Sequence, residues 1–341
     1  MSNQLVTTTA AALPVDPATI EARLNDYARW ADRAMSENTK RAVKADTAVF
    51  SAWCSERDLN PLPADPETVA SFIEDAGIVG IPAMDKANPG QFIQDGQNVR
   101  RSAATLNRYI ASLARIHRAA DLPDPTKTER VKLALKGARR TIGTRQRQAA
   151  PLNANVLDKL GMVLSDSLGD LRDIALLRTA RDLLARRSEL VAIDLEDIEE
   201  AEDGSGTVLI KRSKTDQTGQ GSTQYLAEPS MKALRAYFDA AEITEGAIFR
   251  RHNRWGGKGK RLDAGSVADI FKRLAGLIGL STADISGHSA RVGMCQDLTA
   301  AGADLPALMQ AGRWKSAAMP ARYGERQAAA RGAVAKFYNQ A

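Results

Sequence analysis

Arg186, Lys214, the His288-x-x-Arg291 pair, Trp314 and Tyr323 stand in that order through the second half of a 341-residue chain. All but Arg186 and Lys214 fall between Ser286 and Tyr323, in SGHSARVGM…MQAGRWKSAAMPARY. Arginines grip the non-bridging oxygens of a phosphodiester through their planar forks. A lysine and a histidine move protons near neutral pH, an indole N–H adds a neutral donor, and a phenol oxygen can attack phosphorus. One chemistry uses the whole set: transfer of a phosphodiester onto a tyrosine. A free phenol has a pKa of about 10, so Tyr323 needs help in losing its proton. Arg186 and Arg291 would favour the negative charge that builds at phosphorus. His288 would act as general base or phosphate donor, Trp314 as a further donor, and Lys214 as the acid for the leaving oxygen.

Taken singly, each residue has an ordinary explanation. Arg186 opens the charged run RRSELVAIDLEDIEE, which suits a solvated helix face, and Lys214 suits the surface of a hairpin. Trp314 and Tyr323 suit a core. Order and local context carry more weight than any member. Arg186-Arg187-Ser188-Glu189 forms an Arg-x-x-Glu box, and Gly287-His288-Ser289-Ala290-Arg291-Val292-Gly293 forms a second. Met309-Gln310-Ala311-Gly312-Arg313-Trp314 forms a third, with Tyr323 nine residues beyond the tryptophan. This combination resembles the tyrosine site-specific recombinases, the integrase family. Many members carry histidine where Trp314 stands.

The resemblance implies a mainly α fold with a small β-sheet. An N-terminal helical core-binding domain and a C-terminal α+β catalytic domain would form a C-shaped clamp on DNA. Arg186, Lys214, His288, Arg291 and Trp314 would be catalytic, with Tyr323 as nucleophile and Glu189 orienting a catalytic group from behind. A 3′-phosphotyrosine link and a free 5′-hydroxyl would form at a two-fold inverted-repeat target. The partner would be double-stranded DNA, bound by a dimer per site and a homotetramer on two sites, without accessory proteins. A type IB topoisomerase-like relaxation of one duplex, or a non-catalytic DNA-binding regulator, are the alternatives.

Composition fits such a partner. The chain is 44% apolar with a net charge of +6, enough apolar residues for a substantial core in two domains. From Arg100 to Ala150 stand 13 Lys/Arg against 3 Asp/Glu, a local footprint for phosphate. No apolar run is long enough to span a membrane, and the leader has no signal-peptide pattern. Cys54 and Cys295 lack metal-type spacing and suit reduced, buried thiols in a cytoplasmic protein; the resemblance implies a bacterial cell and a phage- or plasmid-encoded gene. No phosphate-binding Gly-x-x-x-x-Gly-Lys box and no acidic cluster for magnesium is evident, so neither cofactor nor metal is expected.

The elements that must position these residues can be read from caps and periodicity. Residues 1–17 read as a disordered leader and 18–136 as a helical DNA-binding domain. Ser36 caps a helix with Ala42, Ala45, Val49 and Trp53 inward and Lys40 and Lys44 outward, and Asp65-Pro66-Glu67 starts another. A helix from Arg101 to Ala119 would bury Leu106, Tyr109, Ile110, Leu113 and Ile116, with Arg101, Arg108 and Arg115 in line on its other side. Lys40, Lys44, Arg101, Arg108, Arg115, Arg118, Arg139, Arg140, Arg254 and Lys258 are the candidate DNA contacts. Residues 137–151 read as a basic linker and 152–341 as the catalytic domain. There a helix through Leu171–Leu184 leads to Arg186, and strands 207–212 and 222–226 pair around a glycine-containing turn, with Lys214 at its mouth. A C-terminal helix at about 326–339 would carry Val334, Phe337 and Tyr338 on one small apolar face, which could fold back on its own domain; the family resemblance implies instead that it is handed to a neighbouring protomer.

Overall fold

The computed structural model describes residues 16–85, 88, 90–94, 96–213, 216, 219–252 and 258–339. The chain divides into two compact units, one up to Gln146 and one from Arg147. Most of the leader lies outside the described residues, and helix α1 (Pro17–Ala34) begins at its last position.

The first unit continues with α2 (Glu37–Ser55), α3 (Pro66–Glu74), α4 (Ala103–Ala119) and α5 (Glu129–Ile142). Ser36 and Asp65 accept hydrogen bonds from the Thr39 and Thr68 backbone N–H groups, so both start signals act as caps. Phe72 sits at the centre of the core, with Phe50 at 5.0 Å, Tyr109 at 5.3 Å and Trp53 at 5.5 Å between ring centroids. The inner face of α2 is Asp46, Val49, Phe50 and Trp53, and Ala45, expected inside, is exposed. Asp46 takes the inward position because it has partners there: Ser112 Oγ donates to it at 2.7 Å, and Arg108 lies at 2.7 Å.

Two expectations for this unit need correction. Ser102 caps α4 through the Thr105 N–H, so Arg101 precedes the helix and cannot share a stripe with Arg108 and Arg115. And α5 runs on through Gly137 to Ile142, into the segment read as linker, because Val131, Ala134 and Ala138 continue one buried helical face. Between α3 and α4, short bridges pair Ile81 with Val99 and Met84 with Phe92.

The second unit opens with α6 (Ala154–Gly161), α7 (Leu168–Asp182) and α8 (Arg187–Val191). Helix α7 starts and ends earlier than expected, capped by Ser167, and Leu184 beyond it takes a left-handed turn at φ 42°. Strands β1 (Ile198–Glu200), β2 (Gly206–Ile210) and β3 (Ser222–Leu226) form an antiparallel sheet in that order, with Ile210 opposite Ser222. Then come α9 (Glu228–Ala241), the antiparallel pair β4 (Arg250–His252) and β5 (Lys258–Arg261), and α10 (Ser266–Leu277). Helices α11 (Ser289–Ala300), α12 (Leu305–Gly312), α13 (Ala318–Tyr323), α14 (Glu325–Ala330) and α15 (Ala333–Asn339) complete it. The single helix expected over 326–339 is thus broken at Arg331-Gly332.

Helix α7 is the spine of this unit, with Ala175, Leu176, Leu177 and Ala180 in the core beside Tyr237, Phe249 and Phe271. Gly293 on α11 is needed for close approach, since a Cβ there would lie 2.1 Å from the Leu152 carbonyl oxygen. That crossing is held by the Leu152 N–H donating to Ser289 O at 3.0 Å.

Candidate active site

Arg186 stands at the N-cap position of α8 in extended conformation. The Arg-x-x-Glu spacing places Glu189 in the first turn, where its carboxylate folds back: Oε2 accepts the Arg186 N–H at 3.0 Å and Oε1 accepts Arg186 Nη1 at 2.6 Å. Glu189 is buried. Burial alone would push its carboxyl up, but the Arg186 N–H and the Arg313 charge outweigh it and hold Glu189 below the usual carboxylate range.

His288 and Arg291 enter from the start of α11, one turn apart. His288 is exposed, whereas Arg291 is buried to 2% exposure. The Arg291 fork donates to two backbone carbonyls, Leu184 O after α7 and Gly312 O at the end of α12. Carbonyls at a helix C-terminus lack intrahelical donors and sit at the negative end of its dipole, which suits a guanidinium. Burial, with Arg186 adding repulsion, pushes Arg291 down to about 10, still cationic at neutral pH.

The third box closes the cluster. Arg313 turns left-handed at φ 54°, which swings Trp314 back over Gly312. The Trp314 ring covers Arg291, with the guanidinium carbon 4.4 Å from the ring centroid, and meets Tyr323 edge-on at 5.9 Å. Tyr323, the last residue of α13, is partly buried among Leu184, Cys295, Leu308 and Trp314. Burial pushes its phenol above the usual value despite the nearby Arg291 and Arg322 charges, so the isolated site leaves Tyr323 protonated.

Arg186, Glu189, Arg291, Trp314 and Tyr323 are therefore brought together, and His288 stands at the exposed start of α11. Lys214 and Arg254 lie outside the described residues, as does the side chain of Lys258, whose backbone is in β5. Sequence reasoning missed Arg313, whose Nη2 donates to Glu189 Oε2 at 2.7 Å and Nη1 to Leu183 O at 3.0 Å. The signal was an arginine directly before Trp314 and a buried carboxylate with a second oxygen to satisfy.

The candidate DNA contacts of the first unit are largely engaged within it. Arg101 donates to Pro82 O at 2.6 Å, Arg115 to Tyr27 Oη at 3.3 Å, and Arg139 to Asn107. Lys40 pairs with Asp32 and Glu37, Arg108 with Asp46, and Arg118 with Asp124. Lys44 and Arg140 are exposed. His117, on α4, is buried: Nε2 accepts the Ala64 N–H at 3.0 Å, so Nδ1 donates to Leu113 O at 2.8 Å. Cys54 and Cys295 are buried, and burial pushes their thiols up to about 12 and about 11. Among the described residues no helix is long and apolar enough to cross a membrane, and no His/Cys/Asp/Glu group is arranged to hold a metal ion.

The family model of the phage integrase family matches residues 151–329. The chain belongs to the phage integrase family. It is a tyrosine recombinase, an enzyme of DNA breakage and rejoining. An integrase/recombinase XerD homologue of Selenomonas ruminantium is 31% identical over 310 residues, 87% of this chain and 84% of that protein. The Cre recombinase of Escherichia phage P1 is 26% identical over 323 residues, 89% of this chain and 88% of its own. In structure, this recombinase resembles the Tn1549 transposon integrase in complex with a circular intermediate DNA. That match has a TM-score of 0.59 at 13% identity, covering 88% of this chain and 94% of that one. A lambda integrase dimer bound to a COC′ core site gives 0.54 at 17% identity, covering 89% and 94%. These likenesses establish the fold, mainly helical with small antiparallel sheets.

Proposed function

We propose that this recombinase cuts and rejoins double-stranded DNA at a two-fold inverted-repeat site through a 3′-phosphotyrosine intermediate, giving integration, excision or inversion. The observation that carries this reading is the stack of Arg291, Trp314 and Tyr323, which sets a candidate nucleophile beside a pinned, desolvated cation. Arg291 donates to Leu184 O and Gly312 O, which fixes its plane and leaves its other N–H groups for a phosphate. Arg186, turned by Glu189, supplies the second guanidinium. Negative charge arriving with the phosphodiester favours both cations and offsets their mutual repulsion.

In this reading the Tyr323 oxygen attacks phosphorus and displaces the 5′-oxygen. Its proton passes to His288 or to solvent, and Lys214 protonates the departing oxygen. One phosphoester replaces another, so the bond energy is kept for religation. DNA-bound relatives, the Tn1549 integrase and the lambda integrase dimer among them, support duplex DNA as the partner. Exposed Lys44 and Arg140 join the basic residues read from the sequence as backbone contacts. Four protomers would hold two sites, linked by α15, whose Val334, Phe337 and Tyr338 are exposed.

The test selects an inverted-repeat site from random-sequence DNA with the purified protein and rebuilds it as a nicked suicide substrate. Wild-type protein should become covalently attached to the DNA on denaturing electrophoresis. Tyr323→Phe should bind the same duplex and form no adduct. A DNA-linked band in Tyr323→Phe would move the nucleophile elsewhere, and loss of supercoils without exchange between sites would favour a topoisomerase.

A further inference from the structure

Glu189 creates a difficulty for the site it serves. It orients Arg186 from 2.6 Å, yet an ionised carboxylate so close also cancels much of the positive charge that Arg186 offers a phosphate. Arg186 from the start of α8 and Arg291 from α11 would together count as little more than one cation while Glu189 stayed unopposed.

Arg313 faces Glu189 from the turn after α12. Its Nη2 donates to Oε2 at 2.7 Å, the oxygen that also takes the Arg186 N–H, while Oε1 is left to the Arg186 guanidinium. Its Nη1 donates to Leu183 O at 3.0 Å, so the fork is braced against the end of α7. The pair is dry, with side-chain exposures of 10% for Arg313 and 2% for Glu189. The left-handed backbone at φ 54°, unusual for arginine, is what aims the side chain inward. We propose that Arg313 is a positioning residue that neutralises Glu189, so that this carboxylate can orient Arg186 without cancelling its charge toward the scissile phosphate. The proposal rests on the recombinase reading above.

Charge and geometry agree. Among the described residues, Arg186, Arg291 and Arg313 interact with the Glu189 charge, and the Arg313 charge is among the causes that keep the carboxyl ionised despite burial. A purely mechanical tie between α12 and α7 would need only the bond to Leu183 O. The second bond, to a buried carboxylate already shared with Arg186, is the one that bears on chemistry.

Arg313→Gly is the informative variant, because glycine accepts the left-handed turn and the side chain is lost without straining the backbone. Two readouts are needed. In DNA-free protein carrying carbon-13 carboxyl-labelled glutamate, the Glu189 resonance is assigned by its absence in Glu189→Gln. It should titrate below the usual carboxylate range in wild type and at higher pH in Arg313→Gly. On the selected suicide substrate, Arg313→Gly should slow adduct formation by about 10- to 100-fold. Adding Glu189→Gln should restore part of that rate, since it removes the charge that Arg313 no longer balances. Arg313→Lys keeps the charge but cannot span both acceptors, and should lie between wild type and Arg313→Gly; it serves as the variant if glycine unfolds the chain. An unmoved Glu189 titration, or a double variant no faster than Arg313→Gly, overturns the proposal and leaves the recombinase reading standing. A wild-type protein that forms no adduct overturns that reading instead, while the titration still reports whether Arg313 sets the charge on Glu189.

Discussion

The Arg291 guanidinium carbon lies 4.4 Å from the centre of the Trp314 ring, so the indole roofs the cation while its far edge touches Tyr323. A desolvated contact of this kind contributes about 2 kcal/mol, comparable to a buried hydrogen bond to a charged group. It also excludes water from a guanidinium whose two backbone acceptors already fix its plane. Trp314 therefore organises the site through its ring.

Gly312 makes that roof possible, since a Cβ at this position would lie 2.1 Å from the Trp314 ring. Gly312→Ala should tilt the indole off Arg291, cost about 1–3 kcal/mol of stability from overpacking, and slow adduct formation. The Trp314 indole N–H resonance and a urea titration check the two effects. An unshifted resonance with an unchanged rate would show that the ring does not depend on this close approach.

Lys214 is tested by chemistry. If it protonates the leaving 5′-oxygen, Lys214→Ala should fail on ordinary DNA and recover when that bridging oxygen is sulfur, because a thiolate leaves without a proton. Equal loss on both substrates would make Lys214 a phosphate-positioning group.

His117 gives a pH dependence in the first unit. Its buried ring must be neutral at Nε2 to accept the Ala64 N–H, and burial lowers its pKa below the ordinary value of 6.5. The unfolded chain then binds the proton more tightly, so this stability is fully present above pH 6.5 and is lost as pH falls from there through the folded pKa. The urea midpoint should fall across that window in wild type, and His117→Gln should be less stable at pH 7.5 with a shallower slope. Parallel profiles in the two proteins would remove His117 as the source.

How much of this was legible in the sequence follows from what each residue contacts. Caps at Ser36 and Asp65 act locally, so composition alone revealed them. Order and local context in the sequence grouped Arg186, Arg291, Trp314 and Tyr323, which the structure brings together. Arg101 was misplaced because the local Ser102 cap starts α4 after it, and Ala45 for a tertiary reason: Asp46 turned inward toward Ser112 on another helix. Arg313 was hidden by tertiary contact too, since its partner lies 124 positions away along the chain. Periodicity reports one helix at a time and says nothing of which charge waits across the gap.

The end of the chain carries the remaining prediction. Helix α15 leaves Val334, Phe337 and Tyr338 between 71% and 73% exposed, with the two rings meeting edge-on at 5.3 Å. Fully burying an apolar side chain of the Val or Phe class contributes about 1.5–3 kcal/mol, so a neighbouring protomer that covered this face would be held by it. A cavity of about 250 Å³ on the same unit, lined in part by Leu184, Met294 and Leu298 together with Asp182, Gln224 and Gln310, is the place where such a helix from a neighbouring protomer would be sought. Helix α14 ends at Ala330, before the break at Arg331-Gly332, so deletion after Arg331 removes α15 and leaves α14 in place. The truncated protein should fold, bind a half-site with unchanged affinity and lose cooperativity on the full inverted repeat, with strand exchange falling further than cleavage. Gel-shift titration on half and full sites reads the first two, and a two-site exchange assay the third. Unchanged cooperativity in the folded truncation would move the assembly contact away from α15, with the helical first unit as the next surface to test.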